Sequence, residues 1–344
     1  MKKALTLFLA LTLLISLCGC GTKKGTPAVY ADNTVTDGSG AVLSIPENNT
    51  QTTIASVYAV SVPFIVALGL SDRVVAINVK SKFWTDNDEA LSTVGTVGRG
   101  AVDLEKLAKL APDVLIHRSN DPKTVEAVAA LNVKVLCITV ENLDDIKSTL
   151  NMMGKYFGVS DRAVDVCAWM DTKFAYIDSV VATIPENERV KALVMGGELG
   201  RIAGGDMLQS WMIEKAGGVC VADDIEADHN WSNVGVETIF GWNPDFLFCT
   251  GSTALDYSVE GLYEDSSWSA VNAVKNGHVY RIPSSYDAWD MPGISCVICT
   301  MYMLRQMYPD YFSAEELQEQ IDEYYTFMFG KTFDADYLGY DLES

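Results

Sequence analysis

The sequence has little positive charge. Its 344 residues include 25 Lys and Arg against 46 Asp and Glu, which gives a formal net charge of -21 at pH 7. So acidic a surface repels phosphate backbones and anionic lipid headgroups. The composition therefore excludes non-specific binding of nucleic acid and leaves smaller solutes and other proteins as partners.

Histidines and catalytic motifs are also scarce. The three histidines are His117, His229 and His278, and none belongs to the His-Glu-x-x-His pair of zinc proteases. The sequence has neither the Gly-x-Ser-x-Gly turn of serine hydrolases nor a Gly-x-x-x-x-Gly-Lys phosphate loop. We therefore predict that the protein is not an enzyme and carries no intrinsic cofactor. An exported metal-dependent hydrolase is the alternative, since a metal site can assemble on folding.

Long apolar runs are missing after the N-terminus. The single long run, Ala4 to Leu17, follows Lys2-Lys3 and precedes Cys18-Gly-Cys20-Gly, which is the order of regions in an export signal. Cys20 follows a small residue, as in the bacterial lipobox, whereas Cys18 follows a bulky leucine. We predict a lipoprotein signal peptide over residues 1–19, lipidation at Cys20, and an extracytoplasmic protein anchored to the cell membrane. An ordinary secretory peptide cleaved nearby is the alternative.

The segment after the predicted signal peptide shows no helical or strand periodicity. Residues 20–50 are rich in Gly, Thr, Asn, Asp and Ser, which predicts a flexible tether between membrane and domain.

Most of the other cysteines lie in apolar runs, which favours buried free thiols over disulfides. These cysteines are Cys137, Cys167, Cys220, Cys249, Cys296 and Cys299.

Short β-branched runs alternate with helical patterns from Thr52 onward, which predicts α/β lobes with parallel sheets. In the first lobe, residues 51–158, the predicted strands are 53–57, 74–79, 113–117 and 133–139, and the predicted helices are 60–70, 104–110, 122–131 and 143–157. A second lobe follows over residues 187–344, with strands predicted at 190–195, 246–249 and 278–282.

One long helix is predicted between the two series of elements. Apolar residues recur at helical spacing from Ala163 to Val181, and Pro185 ends the pattern. A helix of about six turns without a strand partner is best explained as a rigid connection between lobes. We therefore assign residues 159–186 to a linking helix. A surface helix of the first lobe is the alternative.

The sequence also contains an internal similarity. The segment from Val102 to Leu115 aligns without a gap with the segment from Val234 to Leu247, at an offset of 132 residues. In each copy a short helix with a glutamate in its first turn, Glu105 or Glu237, ends before Pro-Asp and a strand. Two similarly built halves explain the repeat. The glutamates themselves could serve only the helix dipole, so position alone leaves their role open.

Together these segments resemble the substrate-binding lipoproteins of ABC importers for iron-siderophore complexes, vitamin B12 and haem, the class III periplasmic binding proteins. The resemblance covers Thr52 to the C-terminus. Its most specific pieces are Val97-Gly-Arg99 before Asp103-Leu-Glu105, the Ala111-Pro-Asp-Val-Leu-Ile run, Ala216-Gly-Gly, Asn243-Pro-Asp, and Val271-Asn-Ala-Val-Lys-Asn-Gly-His-Val-Tyr. The resemblance implies an α/β fold of two Rossmann-like lobes joined by one long inter-lobe helix.

The resemblance also implies partners. In this family one glutamate on each lobe docks on arginines of the permease, and Glu105 and Glu237 occupy the two matching positions. The expected partners are a permease dimer with its ATPase subunits and a small-molecule metal complex, and the expected oligomeric state is a monomer.

The ligand is expected in the crevice beyond the carboxyl ends of the strands. Aromatic residues and cations follow the predicted strands there, which suits a large, partly flat, anionic or metal-chelating guest. The candidate ligand-binding residues are Tyr58, Trp84, Arg99, Arg118, Arg201, His229, Trp231, Tyr286 and Trp289.

The identity of the ligand stays open at this point. Iron-siderophore complexes would use the arginines, haem would favour Tyr58, Tyr286 or His229 as an iron ligand, and corrinoids would use the aromatic rings. The segment from Tyr286 to Pro292 also resembles molybdate- and tungstate-binding members of the fold. A small oxyanion is therefore the alternative ligand.

Overall fold

A β-hairpin precedes the two lobes. The computed structural model describes residues 33–283 and 287–340, and strands β1 (Thr34–Thr36) and β2 (Val42–Ser44) pair antiparallel. The Asp37 carboxylate accepts hydrogen bonds from the backbone N–H of Ala41 in the turn and of Cys137 in the first lobe, both at 3.0 Å. Asp37 is only 6% exposed, so this turn is fixed to the lobe.

The prediction of a flexible tether over residues 20–50 is therefore wrong for residues 34–44. Its Gly, Asp and Ser residues are typical of linkers, but here they build a tight, exposed turn whose Asp37 side chain is buried against the first lobe. A Cβ on Gly38 would lie 2.6 Å from the backbone nitrogen of Thr139, so the close approach needs glycine. The predicted signal peptide at 1–19 and the lipidation site Cys20 lie outside the described residues.

The first lobe is a parallel sheet flanked by helices. Its strands are β3 (Ile54–Ser56), β4 (Val74–Ile77), β5 (Gly95–Thr96), β6 (Val114–Arg118) and β7 (Lys134–Ile138). They lie in the order β5-β4-β3-β6-β7. The helices are α1 (Ser61–Ala67), α2 (Lys82–Asn87), α3 (Leu104–Leu110), α4 (Pro122–Ala129) and α5 (Leu143–Phe157).

Helix ends in this lobe follow the local sequence. The side chain of Asp103 caps α3 by accepting from the backbone N–H of Lys106, and Asn142 caps α5 in the same way. Gly158 ends α5 in the left-handed conformation, with φ at 72°. The structure thus places α3 and α5 over the residues that the sequence predicts.

Helix α6 (Ser160–Val181) has 22 residues, so it is about 33 Å long at 1.5 Å per residue. Its buried stripe includes Ala163, Val166, Met170 and Phe174, which is the pattern that the sequence predicts. The helix connects the last element of the first lobe to the first strand of the second.

The second lobe is a mixed sheet with its own helices. Its strands are β8 (Lys191–Met195), β9 (Arg201–Ile202), β10 (Val219–Cys220), β11 (Ser232–Asn233), β12 (Phe246–Cys249) and β13 (Val279–Arg281). They lie in the order β11-β9-β8-β12-β13, and β10 also pairs with β8. Strands β8, β12 and β13 are parallel, whereas β9 is antiparallel to both of its neighbours. The helices that precede β13 are α7 (Leu208–Lys215), α8 (Val236–Trp242), α9 (Val259–Glu264) and α10 (Asn272–Asn276).

Three helices close the chain and bring it back to the first lobe. They are α11 (Cys296–Met307), α12 (Ala314–Phe329) and α13 (Ala335–Leu338). The Phe329 ring at the end of α12 stacks on Trp84 in α2, with centroids 5.1 Å apart. The predicted fold class, two α/β lobes joined by a long helix, is confirmed.

The six cysteines of the described residues are free thiols, and all except Cys167 are buried. Burial raises the pKa of the Cys249 thiol to about 11, so it stays protonated at neutral pH. Within residues 33–283 and 287–340, no helix combines the length and the apolar character that a membrane crossing requires.

Candidate functional site: the inter-lobe cleft

Two adjoining cavities lie between the lobes, where the parallel strands of both sheets end. The major cavity has a volume of about 420 Å³, and the minor cavity one of about 230 Å³. Ser252, Met291 and Pro292 line both cavities, so the two form one cleft. The major cavity is also lined by Tyr58, Asn78, Lys80, Ser81, Trp84, His117, Arg118, Asp287 and Ser295.

Strand ends bring the first-lobe wall of the major cavity together. Tyr58 follows β3, Lys80 follows β4, and His117 and Arg118 end β6. Because β3, β4 and β6 are parallel, their carboxyl ends meet at one edge of the sheet. Two cations, Lys80 and Arg118, therefore line the same cavity.

An aspartate orients His117 and Arg118. Asp121 Oδ2 lies 3.1 Å from His117 Nε2 and 3.4 Å from Arg118 Nη2. These bonds, first of all the one from His117, hold the pKa of the Asp121 carboxyl well below its usual range. Burial lowers the pKa of His117, and its Nδ1 has no hydrogen-bond partner among the described residues. His117 therefore carries a buried ring nitrogen without a hydrogen-bond partner beside the cavity.

Tyr58 is a hydrogen-bond donor at neutral pH. Burial, assisted by the nearby negative charge of Glu141, raises its pKa to about 12. The protonated hydroxyl can donate to an anionic ligand beside Arg118. Deprotonation, which iron ligation by a phenolate requires, is disfavoured at this position.

Two buried aspartates support the second-lobe wall. Asp287 accepts a hydrogen bond from the Tyr325 hydroxyl at 3.2 Å, and Asp290 accepts from the Thr250 hydroxyl and from Gly251 N–H. Burial raises the pKa of Asp287 to about 7 and that of Asp290 to about 6. These contacts fix the loop from Asp287 to Ser295 that closes the cleft from the side of the second lobe.

The raised pKa values predict a pH dependence of stability. Between the ordinary carboxyl pKa and about 7, folded Asp287 binds a proton that the unfolded chain has released. The free energy of unfolding should therefore fall as pH rises from about 4 to 7, by a few kcal/mol for Asp287 at about 1.4 kcal/mol per pKa unit. Urea unfolding across this range measures it.

Asp287→Asn isolates this contribution, since other groups also titrate in the range. This variant should lose less stability between pH 4 and 7 than the wild type, while Asp224→Asn at an exposed site should behave as the wild type. Equal slopes for all three proteins would contradict a protonated Asp287.

The minor cavity has a different lining. Glu141 after β7 contributes from the first lobe, and His229 and Trp231 contribute from the loop before β11 in the second lobe. The other residues that line it are Met207, Leu208, Gln209, Ser252, Met291 and Pro292. Among the residues that the structure describes, neither Lys nor Arg contributes to this lining.

The structure brings five of the predicted ligand residues to the cleft. Tyr58, Trp84 and Arg118 line the major cavity, and His229 and Trp231 line the minor cavity. Trp84 is 5% exposed and stacks on Phe329, so little of its ring is available to a ligand. Tyr286 lies outside the described residues.

Three predicted ligand residues are not brought to either cavity. Trp289 is fully buried, and its Nε1–H donates to the Tyr325 hydroxyl at 2.8 Å, so its assignment to the ligand site is wrong. Arg99 is exposed beside the lining residue Gly100. Arg201 points to Glu198, with a nitrogen–oxygen distance of 3.5 Å. The rule that ligands bind beyond the carboxyl ends of parallel strands (the strand-end rule) finds the correct edge of the sheet. It does not give the direction of each side chain.

Sequence reasoning missed other residues of the lining. Lys80 and Ser81 lie in the loop after β4, whereas the sequence prediction selects Trp84 in the following helix α2. Glu141 follows β7 in the same way. The position of Lys80, Ser81 and Glu141 after a strand is visible in the sequence. The sequence prediction missed these residues because it did not locate the exact end of each strand.

The geometry is that of a solute-binding cleft between two α/β lobes. A family model described as "Periplasmic binding protein" matches residues 54–286, which is more than half of the chain. The chain belongs to the periplasmic binding protein family. The family predicted from the sequence motifs is thereby confirmed.

This periplasmic binding protein has curated relatives with different ligands. It is 26% identical over 313 residues to the petrobactin-binding protein YclQ of Bacillus subtilis, covering 85% of this chain and 94% of the relative. It is 18% identical over 258 residues to the molybdate-binding protein MolA of Haemophilus influenzae, covering 69% and 72%. A solved periplasmic solute-binding protein of Veillonella parvula superposes with a TM-score of 0.74 at 23% identity, covering 90% of this chain and 96% of that one.

The two glutamates of the internal similarity lie in equivalent places in this periplasmic binding protein. Glu105 is in the first turn of α3 and Glu237 in the first turn of α8. Both side chains are exposed, and neither forms an ion pair with any described residue. Helices α3 and α8 therefore each present an exposed carboxylate in their first turn.

Proposed function

We propose that this protein is the substrate-binding component of an ABC importer and captures a ferric siderophore-type complex in the inter-lobe cleft. The observation that carries the proposal is the major cavity, where Lys80 and Arg118 converge in a chain with a net charge of -21. Cations placed together in so acidic a protein suit an anionic chelate. The similarity to a petrobactin-binding protein supports the same ligand class.

Molybdate or tungstate is the second candidate, because a molybdate-binding protein is among the relatives. A tetrahedral oxyanion has only five heavy atoms, however, and would leave most of the 420 Å³ cavity to water. Large chelates, including haem and corrinoids, fill such a volume better. We therefore prefer a metal complex to an oxyanion as the ligand.

Delivery to the membrane would use the two exposed glutamates. Glu105 and Glu237 would each pair with an arginine of a permease dimer that works with ATPase subunits, while the protein itself is a monomer. Charge-assisted pairs on two lobes fix the orientation of docking and raise its rate. Lipidation at Cys20 would hold the protein on the outer side of the cell membrane, within reach of the permease.

Binding rather than catalysis is proposed because the family and its solved members are solute-binding proteins. The clusters of three or more potential metal ligands that a hydrolytic metal centre needs are not found in the part of the chain that the structure describes.

A thermal-unfolding panel tests the ligand class. A ligand present at 100 times its Kd stabilises the folded state by about 2.7 kcal/mol, so ferric siderophores should raise Tm clearly. Lys80→Gln combined with Arg118→Gln should weaken binding at least about tenfold, since a hydrogen bond to a charged group contributes about 1.5–3 kcal/mol. Lys123→Gln, an exposed lysine outside the cavities, is the matched control.

The same panel contains haem, cobalamin and molybdate. Stabilisation by molybdate alone would favour the oxyanion function. Stabilisation by haem or cobalamin would identify that metal complex, and not a ferric siderophore, as the ligand. The absence of any shift, together with hydrolase activity, would support the enzyme alternative instead.

A further inference from the structure

The two cavities of the cleft differ in charge. Lys80 and Arg118 line the major cavity, whereas the ionisable residues of the minor cavity are Glu141 and His229. A guest that fills both cavities meets hydrogen-bond donors at one end and acceptors at the other. The residues that line the minor cavity therefore indicate the chemistry of the part of the ligand that does not chelate the metal.

Glu141 is a half-buried carboxylate without a direct partner. Its side chain forms neither a hydrogen bond nor an ion pair with any described residue, although its backbone N–H donates to Asp145 at 3.1 Å. Burial raises the pKa of this carboxyl; among its neighbours, His229 lowers the pKa, and the acids Asp145 and Asp228 raise it. The negative charges of Asp145 and Asp228 favour a positive guest in this cavity.

His229 offers a second acceptor from the opposite lobe. Its Nδ1 lies 2.5 Å from the backbone carbonyl oxygen of Asp206, and its backbone N–H donates to the Asp206 carboxylate at 2.8 Å. A carbonyl oxygen accepts only, so Nδ1 must carry the proton. In the neutral ring Nε2 is then an acceptor, and it has no partner in the described part of the chain.

Trp231 adds an aromatic face beside these two acceptors. It is half-buried and lines the same cavity, and its indole packs close to Gly196, where a Cβ would lie 3.0 Å from the ring. The electron-rich face of an indole attracts cations within about 6 Å. A carboxylate, an imidazole acceptor and an indole are together the groups that recognise a protonated amine.

We propose that the minor cavity is an amine-binding subsite in which Glu141, His229 and Trp231 hold a protonated amino group of the ligand. The inference rests on the proposed function: Lys80 and Arg118 hold the anionic chelating end of a metal complex, and the minor cavity selects complexes whose linker carries an ammonium group. The ligand class is thus an amine-containing chelate rather than a purely anionic one.

Calorimetric titration with a matched pair of synthetic probes tests this subsite. The probes are ferric complexes of two bis-catecholamide ligands that differ at one linker position, a secondary amine in one and an ether oxygen in the other. Wild-type protein should bind the amine complex about tenfold more tightly, because one charge-assisted hydrogen bond has this value. Glu141→Gln keeps the shape of the side chain and should remove most of the preference.

The controls separate the subsite from general electrostatics. Asp144→Asn removes an exposed acid three residues away and should keep the preference, and the Tm of each variant verifies its folding. Equal affinities of the wild type for the two complexes, or an unchanged preference in Glu141→Gln, would overturn the subsite while leaving siderophore binding intact. Failure to bind either complex would overturn the proposed function itself.

Discussion

Simultaneous replacement of Glu105 and Glu237 by alanine is expected to abolish ligand uptake while ligand affinity stays unchanged. Both carboxylates are exposed and lie at the starts of α3 and α8, and neither is among the residues that line the two cavities. Loss of one partner of a buried charge pair costs about 2 kcal/mol or more, or roughly 30-fold in complex formation. Each single variant should therefore be impaired, and the double variant should be inactive.

The measurement has two parts. Uptake of the labelled ferric ligand is followed in cells that contain the importer, and Kd is measured by calorimetry on the purified variants. Asp144→Ala and Glu260→Ala are matched controls, because each removes an exposed acid from the first turn of another helix, one in each lobe. They should leave uptake unchanged.

A role in the helix dipole alone makes a different prediction. An acid in the first turn contributes about 0.3–1 kcal/mol to stability, and in α3 the side chain of Asp103 already caps the helix. The double variant would then lose a little stability and keep its uptake. A loss of ligand affinity would instead place the glutamates in the binding site.

Replacement of Trp289 by alanine is expected to lower the free energy of unfolding by about 3–5 kcal/mol, the usual cost of removing a buried aromatic side chain. Trp289 is fully buried, packs with centroids 5.3 Å from Tyr340 and 6.0 Å from Tyr302, and donates to Tyr325. The Tyr325 hydroxyl in turn donates to Asp287, so the substitution also removes support from the cleft wall.

Urea unfolding of Trp289→Ala and Trp289→Phe measures this effect. The phenylalanine keeps much of the volume and loses the hydrogen bond, so it should cost less than alanine and gives a folded protein if the alanine variant is too unstable. Trp231→Ala is the contrast, since this half-buried indole lines the minor cavity. It should weaken ligand binding with little change in stability. If the Trp289 variants instead weakened ligand binding without lowering stability, Trp289 would belong to the ligand site.

Local patterns in the sequence were sufficient for most helices and strands. The apolar stripe of α6 and the capping residues of α3 and α5 act within one or two turns, so they are visible without the fold. The hairpin at 34–44 was missed because Asp37 is stabilised by Cys137, 100 residues away. Composition carries no signal for such a contact.

The ligand site was predicted at the level of the sheet edge and less well at the level of side chains. Tyr58 and Arg118 follow or end parallel strands and do line the cavity. Trp289 follows β13 as well, yet it turns into the core because Tyr325, Tyr302 and Tyr340 surround it there. Those three tyrosines belong to the closing helices and the residues after them, which the strand-end rule does not consider.

The sequence by itself determined the two-lobe α/β architecture, the long connecting helix, the repeated glutamates and the family, because periodicity, capping and motif spacing are properties of neighbouring residues. Only the tertiary structure decided which side chains meet in the cleft. It placed Lys80 with Arg118 and, separately, Glu141 with His229 and Trp231. The physical reason is that side-chain direction at a strand end depends on packing from distant elements, and the charge of a cavity is the sum of residues that the chain order keeps apart.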